Sequence, residues 1–192
     1  MATHPQSSPD GPRRGFTIDL QKDYFPGGRM ELVGAAEAVE RAAALLKAFR
    51  DGALPVVHIQ HIAARAGATF FLPDTEGAQI HPAVRPREGE RVIIKHFPNA
   101  FRETDLRASL AALGASELVF AGMMTHMCVD TTVRAAADLG FACSLAHDAC
   151  ATRDLAFGAG KVAARDVQTA YLAALSGSFA AVRSAAEIAA AL

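Results

Sequence analysis

Short apolar runs of strand length alternate with longer segments of helical period along most of the chain, and this alternation restricts the fold more than any other feature. The strand-like runs are Gly15–Leu20 (GFTIDL), Pro55–His61 (PVVHIQH), Arg91–Lys95 (RVIIK), Glu117–Ala121 (ELVFA), Phe141–Ala146 and Ser178–Val182. Between the first two, Leu32–Arg50 repeats apolar residues at spacings of three and four (Leu32, Ala36, Val39, Ala43, Leu46), and Gly52 stands where a helix ends. Thr104–Leu113, Thr125–Leu139 and Phe157–Leu175 read as further helices, and Ser184–Leu192 can form a terminal one. Parallel strands need crossover connections, and helices are the usual crossovers. The expected architecture is α/β, with three α/β/α layers around a six-stranded, mainly parallel sheet.

Composition narrows the function class. The chain has 192 residues, 51% hydrophobic and 20% charged, which suits one globular domain over 15–192. Residues 1–14 (MATHPQSSPDGPRR) have no apolar core, so they read as a disordered tail and not as a secretory signal. The 19 basic residues nearly balance the 20 acidic ones without a basic block, so no nucleic-acid partner is expected. No apolar run reaches the roughly 18 residues of a membrane span. Three cysteines (Cys128, Cys143, Cys150) are an odd, sparse set that suits a reducing, cytoplasmic setting rather than a disulfide scaffold. No G-x-G-x-x-G follows the first strand, so no dinucleotide cofactor is implied, and a small-molecule substrate is the expected partner.

Open parallel sheets bind ligands beyond the carboxyl ends of their strands. Asp19 ends the first strand, His61 the second and Lys95 the third, and Gly122–Cys128 forms the turn after the fourth. With Thr125 as N-cap, Cys128 falls in the first helical turn, where the helix dipole favours a thiolate able to attack a carbonyl carbon. On position alone Cys128 reads equally as a buried structural cysteine. Asp19 reads as a proton carrier or as a cap of the next turn, and Lys95 as the partner of its charge or as a solvated strand end. A base, a cation and a nucleophile on one rim weigh more together than singly.

Four motifs then appear in order. Asp19-Leu20-Gln21-Lys22-Asp23-Tyr24-Phe25 resembles the D-x-Q-x-D-[FY] opening of the isochorismatase-like cysteine hydrolases. Lys95 with Asn99-Ala100-Phe101 is similar to that family's K-x-x-x-[SN]-A-F element. Gly122-Met123-Met124-Thr125-His126-Met127-Cys128-Val129 resembles its G-x-x-T-x-x-C-V nucleophile turn, and Asp148-Ala149-Cys150-Ala151 its D-A-x-[AS] signature. The resemblance implies a Rossmann-like sheet of strand order 3-2-1-4-5-6. It makes Cys128 the nucleophile, Asp19 the general acid/base and Lys95 its electrostatic partner. It also places a cis peptide between Met123 and Met124 and an oxyanion hole at the Met124 and Cys128 N–H groups. Relatives in this family often form dimers or tetramers, so a homodimer or homotetramer is expected.

Departures from the family pattern sharpen the expectation. Nicotinamidases of the family bind a metal through an Asp-x-His pair after strand two, whereas this chain reads His61-Ile62-Ala63; no metal is expected. His58 and His61 lie three apart on a strand and point to opposite faces, so they cannot chelate together. His61 then reads as a pocket-lining donor or as a satisfied strand-end histidine. Phe25, Phe97 and Phe101 read as pocket walls or as plain packing, and the Pro-rich connection 62–90 is long enough to carry function. The vinyl-ether-cleaving branch of the family lacks the cysteine, so Cys128 points to acyl chemistry. The expected activity is cysteine-dependent hydrolysis of a small amide or ureido C–N bond. The alternatives are vinyl ether cleavage with Asp19 as acid, or a non-catalytic small-molecule binding module.

Overall fold

The computed structural model describes residues 13–192. The tail expected over 1–14 lies outside the described residues up to position 12. Arg13 and Arg14 belong instead to strand β1 (Arg13–Ile18), which begins earlier and stops sooner than its apolar letters suggest. Charged residues are tolerated there because both heads find partners. Arg13 pairs with Glu117 at 2.7 Å on the neighbouring strand, and the buried Arg14 donates to the Leu113 carbonyl.

The main sheet also contains β2 (Val56–His61), β3 (Arg91–Lys95), β4 (Glu117–Met123), β5 (Ala142–Ala151) and, after a small hairpin, β8 (Ala181–Arg183). Its order is β3-β2-β1-β4-β5-β8 and every pairing is parallel. With β8 counted as the sixth strand of the sequence, this is the expected 3-2-1-4-5-6.

Helices α1 (Ala35–Asp51) and α5 (Ala185–Ala189) cover one face, while α2 (Leu106–Ala112), α3 (Asp130–Asp138) and α4 (Ala164–Leu175) cover the other. Alternation along β4 shows why. Leu118 and Phe120 pack toward α2 and α3, whereas Val119, Ala121 and Met123 pack toward α1. Helix α1 answers with Ala38, Val39, Ala42, Leu45, Leu46 and Phe49, a buried stripe at helical spacing. Among the described residues no helix is long and apolar enough to cross a membrane.

Three segments differ from the sequence expectation. β5 runs to Ala151 instead of stopping at Ala146, after a register shift opposite Phe120 and Gly122. Asp148 and Cys150 are therefore strand residues. Asp148 looks like a turn residue, but its carboxylate accepts the Ala185 N–H at 2.7 Å and anchors the start of α5. The first part of the expected helix 157–175 is an antiparallel hairpin, β6 (Leu155–Phe157) with β7 (Gly160–Val162), turned by Gly158 at φ 58°. The helix expected from Thr125 opens with a π turn over Thr125–Val129 before α3 begins.

The sheet order reverses between β1 and β4, so the chain leaves these two neighbouring strands toward opposite sides. A crevice opens at their carboxyl ends, and this is where the expected site residues lie.

Candidate active site

Asp19 follows the last residue of β1 and takes a left-handed backbone, φ 50°. Its N–H donates to Ile59 O at 3.1 Å and its carbonyl accepts the Gln21 N–H at 2.9 Å, so the strained residue is held from both sides. Next door on β4, Gly122 has φ 150°, and a Cβ there would sit 2.1 Å from Ile18 O. Only glycine lets β1 and β4 approach this closely beneath the site. The Met123–Met124 peptide that follows is cis, as expected.

The sheet register places Lys95 of β3 beside His61 of β2. The Lys95 Nζ donates to Cys128 Sγ at 3.2 Å, to His61 Nδ1 at 3.0 Å and to Phe97 O at 3.1 Å. Asp19 Oδ2 lies 2.8 Å from the same nitrogen, within a pair whose side chains are both fully buried. This is the shortest contact the ammonium makes, a buried charge-assisted pair. The Cys128 thiol is a second group beside the same carboxylate and can donate to it.

The helix start differs from the expectation of a Thr125 cap. Met124 occupies the cap position, and no side chain caps the turn. The Thr125 hydroxyl instead donates to Gln168 Oε1 at 2.6 Å, and the Val129 N–H reaches back five residues to Met124 O. Cys128 is the fourth residue of this wide turn and is buried.

Nor is the thiol acidified. Burial pushes the Cys128 thiol well above its ordinary range and the Asp19 charge pushes it further, which together outweigh Lys95. The resting group is a protonated thiol. Burial disfavours the Lys95 ammonium, but Asp19 and Cys128 outweigh that and hold it above the ordinary lysine value. Burial, then the neighbouring Lys95, lower His61 to about 4. His61 is thus neutral near pH 7, accepting at Nδ1 and keeping its proton on Nε2.

Asp19, His61 and Cys128 bring potential ligand atoms within 4.8 Å of one another. The Lys95 ammonium already sits among all three, bonded to His61 and Cys128 and ion-paired to Asp19. A metal ion there would meet a buried positive charge, so this arrangement does not fit one.

Cys128 opens onto a cleft of about 760 Å³. Met124, His61, Tyr24, Phe70 and Phe97 are among the residues that line it. His61 therefore both lines the cleft and is satisfied, since Gln21 bonds its N–H and C=O at 2.7 and 2.8 Å. Phe25 and Phe101 do not line it. Phe25 is buried 4.2 Å from the His81 ring, and Phe101 stacks on Phe141 at 6.4 Å.

The connection 62–90 does reach the cleft. Buried Asp23 fastens it by accepting the Phe71 N–H at 2.6 Å, and packs so closely that a Cβ on Gly77 would overlap its carboxylate. Phe70, Arg65 and Arg153 were not singled out from the sequence. Phe70–Phe71 was legible only as an apolar pair in a Pro-rich stretch, and Arg153 only as the second residue beyond the D-A-x-A signature.

Comparison with known proteins agrees with this geometry. An isochorismatase domain model matches residues 16–187. The isochorismatase family protein YddQ of Bacillus subtilis (strain 168) is 48% identical over 168 residues, covering 88% of this chain and 93% of YddQ. Maleamate amidohydrolase of Pseudomonas putida is 33% identical over 138 residues, covering 65% of each chain. The crystal structure of an isochorismatase from Pseudomonas putida KT2440 superposes with a TM-score of 0.87 at 38% identity, covering 95% of this chain and 94% of that one. With the family model running from β1 into α5 and a relative matched along nearly its full length, the chain belongs to the isochorismatase domain family and is a hydrolase of that family.

Proposed function

We propose that this hydrolase cleaves the C–N bond of a small amide or ureido compound through a thioester on Cys128. One observation carries the reading: a buried thiol, 3.2 Å from the Lys95 ammonium and beside the buried Asp19 carboxylate, faces the cleft. In the first step the Cys128 proton passes to Asp19 as Sγ bonds to the carbonyl carbon. Lys95 stabilises the sulfur as it becomes anionic. The Met124 and Cys128 N–H groups take the developing oxyanion. Asp19 returns the proton to nitrogen, the C–N bond breaks, and ammonia or an amine leaves. Water then gives a proton to Asp19 and its oxygen to the acyl carbon. The C–S bond breaks, the thiol is reprotonated, and a carboxylic acid is released. The amidohydrolase relative in Pseudomonas putida supports C–N chemistry on this fold.

The test is product release by wild type, Cys128→Ser and Cys128→Ala on small amides and ureides, read by ammonia, and on isochorismate, read by pyruvate. Ammonia from the wild type, reduced roughly a thousand-fold or more in both variants, is expected. Pyruvate from all three proteins would move the function to vinyl ether cleavage with Asp19 as acid.

A further inference from the structure

The proposed chemistry leaves Tyr24 unused, although this residue lines the cleft with Cys128 and is only 1% exposed. Its ring packs edge-on against Phe71, centroids 4.6 Å apart, and tilted against Phe70 at 5.9 Å. The Tyr24 N–H donates to Gln21 O at 3.1 Å, and its carbonyl accepts the Leu32 N–H at 3.0 Å. The residues before it hold the neighbouring walls, Gln21 through the His61 backbone and Asp23 through the Phe71 N–H. The phenol therefore has a fixed place in the cleft.

Its hydroxyl is the unsatisfied part. Among the described residues no hydrogen bond reaches it. Burial acts on it first, then the charges of Cys128 and Asp19, and together they hold the phenol well above the ordinary tyrosine range against the opposing charge of Arg153. The group keeps its proton at any working pH. A buried hydroxyl without a partner is unfavourable, and phenylalanine fits the same ring packing without that cost. A ligand that completes the bond accounts for the hydroxyl's presence in a cleft wall.

The surroundings also say what kind of atom completes it. A phenol donates more strongly than it accepts, and no acidic side chain lines the cleft to take its proton. The complementary atom is thus an acceptor. The burial and nearby negative charge that disfavour a phenolate would disfavour an anion in the same place, so the acceptor is neutral.

Resting on the amide-hydrolysis reading, we propose that Tyr24 is a specificity-determining residue whose hydroxyl donates to a neutral oxygen of the substrate, outside the scissile amide. Amides that carry such an oxygen are selected over those with a methylene group in its place.

The test compares matched amides: methoxyacetamide with butyramide, 3-methoxypropionamide with pentanamide, and 4-oxopentanamide with 4-methylpentanamide. For at least one pair the oxygen-to-carbon ratio of kcat/KM, by ammonia release, should fall roughly tenfold from wild type to Tyr24→Phe, through KM for the oxygen compound. Reading the change in ratio removes any intrinsic difference in reactivity within a pair. The ligand-free Tyr24→Phe protein should have a urea midpoint no lower than wild type. An unchanged ratio in every pair overturns the proposal, and so does a lower midpoint, which would mean that the hydroxyl is bonded within the protein.

A complete absence of ammonia would count against amide hydrolysis, and calorimetry on Cys128→Ala then decides the Tyr24 contact separately. Binding of an oxygen compound about tenfold tighter than its partner, lost in Cys128→Ala/Tyr24→Phe, supports the contact. Equal binding, or none, overturns it.

Discussion

Cys128 was legible as a reactive residue from its place after a strand and before a helix, but its resting state was not. A helix start alone would lower the thiol pKa, whereas burial and Asp19 raise it. Burial depends on every element packed over the site, so no local pattern reports it. The protonated thiol leads to an unusual expectation. Wild-type Cys128 should react with iodoacetamide more slowly than a free cysteine, although it is the proposed nucleophile. Asp19→Asn removes the charge that raises the thiol, so alkylation should speed up by about tenfold or more while hydrolysis falls roughly 100- to 10,000-fold. Lys95→Met removes the group that lowers the thiol and should slow alkylation further. Mass spectrometry of alkylated Cys128 across pH, beside turnover of the same samples, checks both directions. Alkylation and hydrolysis falling together in Asp19→Asn would mean that Asp19 activates the thiol at rest instead of accepting its proton during attack.

At the scale of elements, what could be read was what repeats. β3 appears with its expected bounds because RVIIK is a short β-rich run, and α1 appears over Ala35–Asp51, three residues later than expected at its start, because its apolar stripe has helical spacing. The π turn, the long β5 and the β6–β7 hairpin were not legible, because each depends on partners distant in sequence or on backbone angles. His147-Asp148 has the composition of a turn, yet Asp148 is satisfied by α5, 37 residues later. The most demanding element contact is that of β1 with β4 at Gly122. An added methyl group would overlap Ile18 O at 2.1 Å and force a non-glycine residue to φ 150°. Gly122→Ala should therefore cost about 3 kcal/mol or more, seen as a lower denaturation midpoint, with turnover lost in the fraction that folds. A milder variant acts on the cleft wall. Asp23→Ala leaves the Phe71 and Arg29 N–H groups unpaired, so KM should rise more than kcat falls. An unchanged KM would mean that the 62–90 connection keeps its place without Asp23.

Across the whole molecule, the crevice between β1 and β4 is useful only if the long connection that walls it is secured at both ends. Asp23 and Gln21 secure its beginning and middle. Its end is secured by a partly buried network that joins three elements. Arg50 of α1 bonds Glu90 at 2.6 and 2.7 Å, His58 of β2 meets the same carboxylate at 2.9 Å, and Thr17 of β1 meets the other nitrogen of His58 at 2.8 Å. Burial holds His58 below its ordinary value, so it is neutral near pH 7, donating from Nε2 to Glu90 and accepting at Nδ1 from Thr17. Burial alone would raise Glu90, but the bonds from Arg50, the Arg87 N–H and His58 outweigh it and bring the carboxyl down to about 2. A folded pKa below the unfolded one means that the carboxylate stabilises the protein above its ordinary value of 4.5, and that this is lost as pH falls from there toward 2. The contribution is at most on the order of 3 kcal/mol, since each pKa unit is worth about 1.4 kcal/mol. Glu90→Gln should accordingly be less stable than wild type at pH 6. The gap should narrow through pH 4 and fall to about a quarter of its pH 6 size by pH 2.5, in urea unfolding followed at each pH. A constant gap would show that Glu90 contributes shape rather than charge, and that the connection is held by packing alone.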